Sequence, residues 1–259
     1  MSALELIALV PTFVLAFFRI AGMMLFAPLF GSSRIPRRVK LMLALVLAMS
    51  VTPGIDGPAD FPPTTWGLTA GIAGEMLYGL AMGMIQSFVF IAAQWAGEMI
   101  GQQMGFNLSE VFDPQFGAQG SIVGELYYML TLVVFLSAGG HHALLQGVAA
   151  SFEALPLLTV GVEPHLFEMV VGLLRSSTQL AIQLAAPMFV TMLVVDVALG
   201  FISKTMPQIN IMSAGLSLRS AVGMGVLVLG IGLTSDVIGA ALLDSMHNVS
   251  QAWTGVFAI

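Results

Sequence analysis

The chain has 259 residues, of which 58% are hydrophobic and 8% charged, with a mean hydropathy of +0.96. A soluble domain carries about 25% charge, so this is a membrane protein or an obligate member of an apolar assembly. The net charge of −6 is spread thinly and no basic stripe is present to hold phosphates, which excludes a nucleic-acid binder; the absence of cysteine excludes disulfides, thiolate metal sites and iron–sulfur clusters.

In chain order, an apolar run covers residues 4–30. It lacks a basic leader, carries Glu5, and has Arg19 near its end, so it reads as a retained first helix rather than a cleavable signal. Residues 31–38 (GSSRIPRR) break the pattern, and a second run spans 39–51. Residues 53–65 (PGIDGPADFPPTT) are a long turn. The next run, 66–106, is about 40 residues. As one helix it would be about 60 Å long, twice the roughly 30 Å of hydrocarbon in a bilayer. The spacing therefore predicts two helices, a bent hairpin, or one helix that leaves the bilayer, with Gly79 and Gly83 marking a bend.

A loop follows at 107–119, then a run at 120–136, the turn Ser137-Ala138-Gly139-Gly140, and a short helix over 141–155 that ends before Pro156. Glu163-Pro164 opens a long run to residue 202, with Pro164 suited to a first helical position and Pro187 expected to kink or split the helix. A polar loop at 203–213 (SKTMPQINIMS) precedes a last run over 214–243. The pattern gives seven or eight helical segments and no strand periodicity: an all-α, membrane or apolar-assembly fold in one unit, with no polar linker between halves. Four of the eight basic residues (Arg34, Arg37, Arg38 and Lys40) fall in the first loop. The next loop holds Asp56 and Asp60, so the first loop reads as cytoplasmic and the second as outside.

No catalytic or metal motif is present: there is no HExxH, no GxSxG and no P-loop. Gly223-Met-Gly225 begins like a dinucleotide fingerprint, but Val228 stands where the third glycine belongs and no strand precedes it. His141 and His142 have no carboxylate spaced to join them on a metal. Arg19, Glu75, Glu98, Glu125, Arg175, Asp196 and Asp236 lie inside apolar runs. Such groups face a bundle interior, a partner or water. They read either as an ion or proton relay or as charges that pair across an assembly or sit near helix ends; Arg19, Arg175 and Asp196 are the candidates for a buried or assembly role.

The most informative stretch is 97–119, GEMIGQQMGFNLSEVFDPQFGAQ. Gly97, Gly101 and Gly105 lie four apart and form one bare ridge on a helix, the pattern of a close helix–helix seam. Gln94, Glu98 and Gln102 form a polar ridge beside it. The loop beyond mixes Phe112, Pro114 and Phe116 with Glu110 and Asp113. A solvent-exposed connector gains nothing from two phenylalanines, so this loop either lines a narrow space or fills the bundle as a re-entrant segment. The 18 methionines suit either an irregular apolar bundle or a soft lining for varied polypeptides.

The chain resembles the FliR/SctT family of type III secretion export-gate proteins over nearly its whole length. The matching pieces are Arg19, Pro28 with the run Arg34-Ile-Pro-Arg-Arg, QWAGEMIGQQMGF at 94–106, Phe112-Asp113-Pro114, Gly139-Gly140-His141, Pro187 with Asp196 and Gly200, and Pro207-Gln208-Ile209-Asn210. One departure is Ser217, where the resemblance leads to an expected proline. The resemblance implies a non-enzymatic subunit, one copy per complex, that assembles with FliP, FliQ and FlhB. It implies a channel through which unfolded flagellar polypeptides leave the cytoplasm, in the basal body and bacterial inner membrane, with its helices held in a cone displaced toward the periplasm. It implies a plug at 107–119, including Asn107, rooted at Met104 and Phe106, and a polar loop with Pro207, Gln208 and Asn210. It implies no cofactor and no metal. The alternative reading is a proton- or ion-coupled small-molecule transporter, with Asp196 or Glu98 as coupling carboxylate and the Pro187 break as a discontinuous helix. An intramembrane enzyme is disfavoured because no nucleophile–base pair is visible.

Overall fold

The computed structural model describes residues 3–32, 35–55, 57, 65–106, 121–158, 165–206 and 211–255. Among them are seven α-helices and no strand: α1 (Ala3–Phe26), α2 (Arg37–Val51), α3 (Thr65–Met104), α4 (Ile122–Ser137), α5 (Gly140–Ala154), α6 (His165–Thr205) and α7 (Ile211–Gly255). A single 3-10 turn, Thr52–Gly54, follows α2. Four helices are long and apolar enough to cross a membrane, or five spans if α4 and α5 together make one. The membrane class and all-α fold expected from composition are what the chain adopts.

Local chemistry sets the helix ends. Pro36 precedes α2 and its carbonyl accepts the amides of Val39 and Lys40. The α2 helix closes where the Thr52 hydroxyl donates to the Ala48 carbonyl at 2.6 Å. Ser121 starts α4: its carbonyl accepts the Glu125 amide at 2.9 Å and its hydroxyl the Gly124 amide at 3.3 Å. Gly139 sits at φ 74°, in the left-handed region that glycine enters without penalty, and breaks α4 from α5.

Two long runs settle what the sequence left open or expected otherwise. Residues 65–104 form one uninterrupted 40-residue helix that runs through Gly79 and Gly83, the single-helix alternative of the three. The α6 helix likewise continues through Pro187 for 41 residues. Flanking turns keep the backbone helical, and the Thr191 hydroxyl donates to the Pro187 carbonyl at 2.8 Å. Broken-helix hydropathy arithmetic assumes that a helix must fit the bilayer; these helices simply exceed it.

The chain divides into two compact units. The first comprises 1–88, 138–173 and 242–259, the second 89–137 and 174–241. In the first unit α2 packs on α1, and the core gathers Leu15, Ile20, Met23, Tyr78, Met82 and Phe152. Gly79 and Gly83 have a packing role here. A Cβ on Gly79 would run into the Arg19 carbonyl and stand 2.8 Å from the Met23 nitrogen; one on Gly83 would stand 2.9 Å from the Ala27 nitrogen. Gly22 meets the Met76 carbonyl in the same way from the opposite helix. These three residues therefore let the α1 and α3 backbones touch. The Ser87 hydroxyl donates to the Phe26 carbonyl, and the Ser245 hydroxyl to Gln86 Oε1 at 3.0 Å.

In the second unit the core gathers Ile100, Met104, Tyr127, Phe135, Ala185 and Met192. Phe90 meets Tyr128 and Phe135 edge-on, with ring centroids 5.6 and 5.5 Å apart. An open apolar groove of about 100 Å³ lies between α4 and α7.

Replacing Gly79 by Val is expected to cost about 1–3 kcal/mol, because backbone atoms cannot yield as a flexible side chain can. Gly172, with nothing within 4 Å of its Cβ position, should accept Ala with a change within about 1 kcal/mol. SDS-driven unfolding in detergent compares the two; equal losses would show that the α1–α3 crossing is not set by Gly79.

Candidate functional site

Three groups of side chains carry charge or unusual geometry. The first is centred on Arg19, which projects from the apolar helix α1 and is fully buried, as is Glu75 on α3. Arg19 Nε donates to Glu75 Oε2 at 2.6 Å. Nη1 donates to the Ser151 carbonyl at 3.0 Å, the Ser151 hydroxyl at 3.3 Å and the Leu155 carbonyl at 3.2 Å; Nη2 shares the Leu155 carbonyl at 3.2 Å. The guanidinium thus takes up the Leu155 carbonyl just past α5 and shares the Ser151 carbonyl with the Leu155 amide, at a helix end where a cation is also favoured by the helix dipole. It stacks between the Phe152 and Tyr78 rings, 4.5 and 4.9 Å from their centroids. Glu75 Oε1 accepts the Leu158 amide at 2.9 Å. Leu158 holds φ at 68°, a conformation costly for a residue with a Cβ. Both members of the pair are therefore spent on in-chain bonds: Arg19 needs no partner from an assembly, and the pair is poorly suited to relay a proton.

The second group is the glycine ridge of α3. A Cβ on Gly97 would stand 2.6 Å from the Val123 carbonyl oxygen and 2.7 Å from Gly124 Cα, so Gly97 and Gly124 make a backbone-to-backbone crossing of α3 with α4. Gln94 Nε2 donates to Glu98 Oε1 at 3.3 Å, both side chains half-buried. Gly101 is buried and Gln102 exposed. Gly105 plays another part: it stands just past the helix at φ 81°. Its amide donates to the Gln102 carbonyl and that of Phe106 to the Gly101 carbonyl, both at 3.0 Å. This bond pair is a Schellman cap, for which glycine is favoured. Met104 is fully buried. Its carbonyl accepts the Ser220 hydroxyl at 3.0 Å. A Cβ on Gly223 would stand 2.5 Å from Met104 Cγ and 2.9 Å from Met192 Cε, so the missing side chain of Gly223 is the space that Met104 fills.

The half-buried Phe106, two residues past α3, therefore closes a firmly held helix end. Asn107, Glu110, Phe112, Asp113, Pro114 and Phe116 lie outside the described residues, as do Pro207, Gln208 and Asn210.

The third group lies on α6 and α7 of the second unit. Asp196 and Arg219 form an ion pair at 2.7 Å, with side chains 42% and 41% exposed; such open pairs contribute about 0–1 kcal/mol. Arg175 is exposed rather than buried. The rings of His141 and His142 lie 4.1 Å apart, and no group of three potential metal ligands occurs among the described residues.

Sequence reasoning missed Glu75 as the partner of Arg19, the Gly22–Gly79–Gly83 crossing, and the Ser220–Gly223 contact with Met104. Gly79 and Gly83 carry the same four-residue spacing as the ridge at Gly97 and Gly101, so that signal was available. Ser220 lies 116 positions from Met104, and nothing local to either marks the contact.

A family model described as bacterial export proteins, family 1, matches residues 10–245. The chain is 32% identical over 252 residues to flagellar biosynthetic protein FliR of Bacillus subtilis, covering 95% of this chain and 96% of that one. It is 28% identical over 222 residues to flagellar biosynthetic protein FliR of Aquifex aeolicus, covering 86% of each. It is also 26% identical over 208 residues to surface presentation of antigens protein SpaR of Shigella sonnei, covering 79% and 78%.

Truncating one member of the buried pair should be severe. Arg19→Ala or Glu75→Gln leaves an uncompensated buried group and is expected to cost about 3–5 kcal/mol. Arg19→Met combined with Glu75→Leu should recover a good part of that loss. Unfolding of the purified single and double variants in detergent checks both; a double variant worse than either single one would contradict the account.

Proposed function

The chain belongs to family 1 of the bacterial export proteins, and from that premise we propose that it is a component of the flagellar type III protein export apparatus. The observation that carries this is the 32% identity to a flagellar biosynthetic protein across 95% of the chain and 96% of the relative, supported by membrane-length apolar helices. The chain is embedded in the membrane. The relatives give the transporter reading no support, and α6, which that reading needed broken, is continuous.

Its role is one of construction and passage rather than catalysis. The whole chain acts as one export-gate subunit, a single copy joined to FliP, FliQ and FlhB in the basal body of the inner membrane, with part of the complex displaced toward the periplasm. Residues 107–119 plug the passage for unfolded flagellar polypeptides, and the Schellman cap at Gly105 with the Ser220–Met104 bond fixes the point from which that segment departs. Gly97 and Gly101 form the packing seam behind it. Helices longer than a bilayer suit a subunit surrounded by other subunits. The α7 span is only 11% buried within the chain, which leaves its apolar surface for partners and lipid.

Deleting residues 110–117 should leave the purified complex intact yet raise its resting ion conductance in planar bilayers; an unchanged conductance would remove the plug role. Gly101→Leu should abolish recovery of the complex after co-expression with the genomic neighbours, because the bulk forces helices apart. Native mass spectrometry of the wild-type complex should give one copy of this chain beside several small apolar subunits, whereas a lone monomer would refute the export-subunit reading.

A further inference from the structure

The second unit carries an exposed carboxylate within an apolar surface. Asp236 lies on α7, inside the apolar span Ala214–Met246, and is exposed. Among the described residues it has no ion-pair or hydrogen-bond partner. Gly225, Leu229, Gly232 and Asp236 recur at spacings of four, three and four and so share one helix face, a stripe about 16 Å long. The surface around it is apolar and open: Leu229 is 88% exposed, Val228 66% and Leu233 64%. Nothing lies within 4 Å of a Cβ built on Gly225 or Gly232. The groove between α4 and α7, walled in part by Val228, borders the same face.

Apolar side chains this open must be covered by lipid or by another apolar helix, and either cover strips water from the carboxylate between them. An isolated carboxylate in such a place is costly unless a cation meets it. We infer that this face of α7 is a docking surface for a transmembrane helix of a partner subunit that places a lysine or arginine opposite Asp236. The inference rests on the export-subunit reading above and adds to it the surface and the chemistry of the contact. A second copy of this chain complements the face less well: its net charge is −6, and of the basic residues in its candidate spans Arg19 and Arg219 are already paired, leaving Arg175 and, at the end of α6, Lys204. The bare Gly225 and Gly232 give the incoming helix room, and the apolar ring keeps water from the ion pair once it forms.

The test uses the complex co-expressed with its genomic neighbours and purified in mild detergent. Asp236→Lys should lower recovered complex by more than about tenfold and Asp236→Asn by less; a lysine- or arginine-to-glutamate change in the partner should restore recovery with Asp236→Lys. Independently, benzoylphenylalanine placed at Leu229, with Asp236 intact, should photocrosslink to a partner subunit. Wild-type recovery with Asp236→Lys overturns the proposal, as does a Leu229 adduct only to lipid or to a second copy. If the wild-type chain carries partners but Leu229 captures none of them, the surface assignment alone falls. If the wild-type chain purifies with no partner, the export-subunit reading falls and takes the surface with it.

Discussion

The first unit depends on one buried contact. Placing Arg19 in an apolar core costs several kcal/mol, and that cost is met only by collecting groups from three places at once. Glu75 supplies the opposite charge, the α5 terminus supplies carbonyls, and Phe152 with Tyr78 supplies ring faces. No subset suffices. Without Glu75 the guanidinium keeps a buried unpaired charge; without the α5 carbonyls its remaining donors face hydrocarbon. The consequence is geometric, since α1, α3 and α5 can satisfy Arg19 only in one mutual arrangement. The glycines at 22, 79 and 83 let the backbones come close enough for that arrangement to close.

The second unit reaches order by a different route, with no buried ion pair among its described residues. Gly97 against Gly124 and Met104 against Gly223 are shape contacts, in which an absent side chain on one helix admits backbone or a methionine from another. Three of its charges, Asp196, Arg219 and Asp236, remain near the surface. One unit is therefore specified by charge satisfied within the chain, while the other leaves much of its apolar surface and one carboxylate for something outside it.

Much of this was legible in the sequence. The membrane class, the helical fold, the turn at Gly139 and the importance of Arg19 follow from composition and pattern, because hydropathy reports burial directly. Helix continuity was not legible. The run at 66–106 allowed a single helix among three readings and Pro187 pointed to a kink or split, and neither pattern decides that both helices are continuous. The ridge at Gly97, Gly101 and Gly105 was readable as spacing, yet spacing could not separate the packing of Gly97 from the capping of Gly105, whose positive φ is a property of the chain's exit from the helix. Glu75 was visible as a buried-charge candidate, but its pairing with Arg19 spans 56 positions, a distance that no periodicity encodes. The aromatic residues of the 107–119 loop fall outside the described residues, so their reading rests on sequence and family.

The bond from Ser220 to the Met104 carbonyl also has a temporal meaning. A chain made from its N-terminus presents α3 long before α7 exists, so the end of α3 spends most of synthesis without its last hydrogen bond and with the space beside Met104 unclosed. The Arg19 cluster, by contrast, is complete once Leu158 has emerged. Biosynthesis thus imposes an order in which the first half can settle early while the departure point of residues 107–119 stays unlocked until the final helix arrives. A ribosome stalled before residue 220 would hold a chain whose charge core is finished and whose α3 end is not.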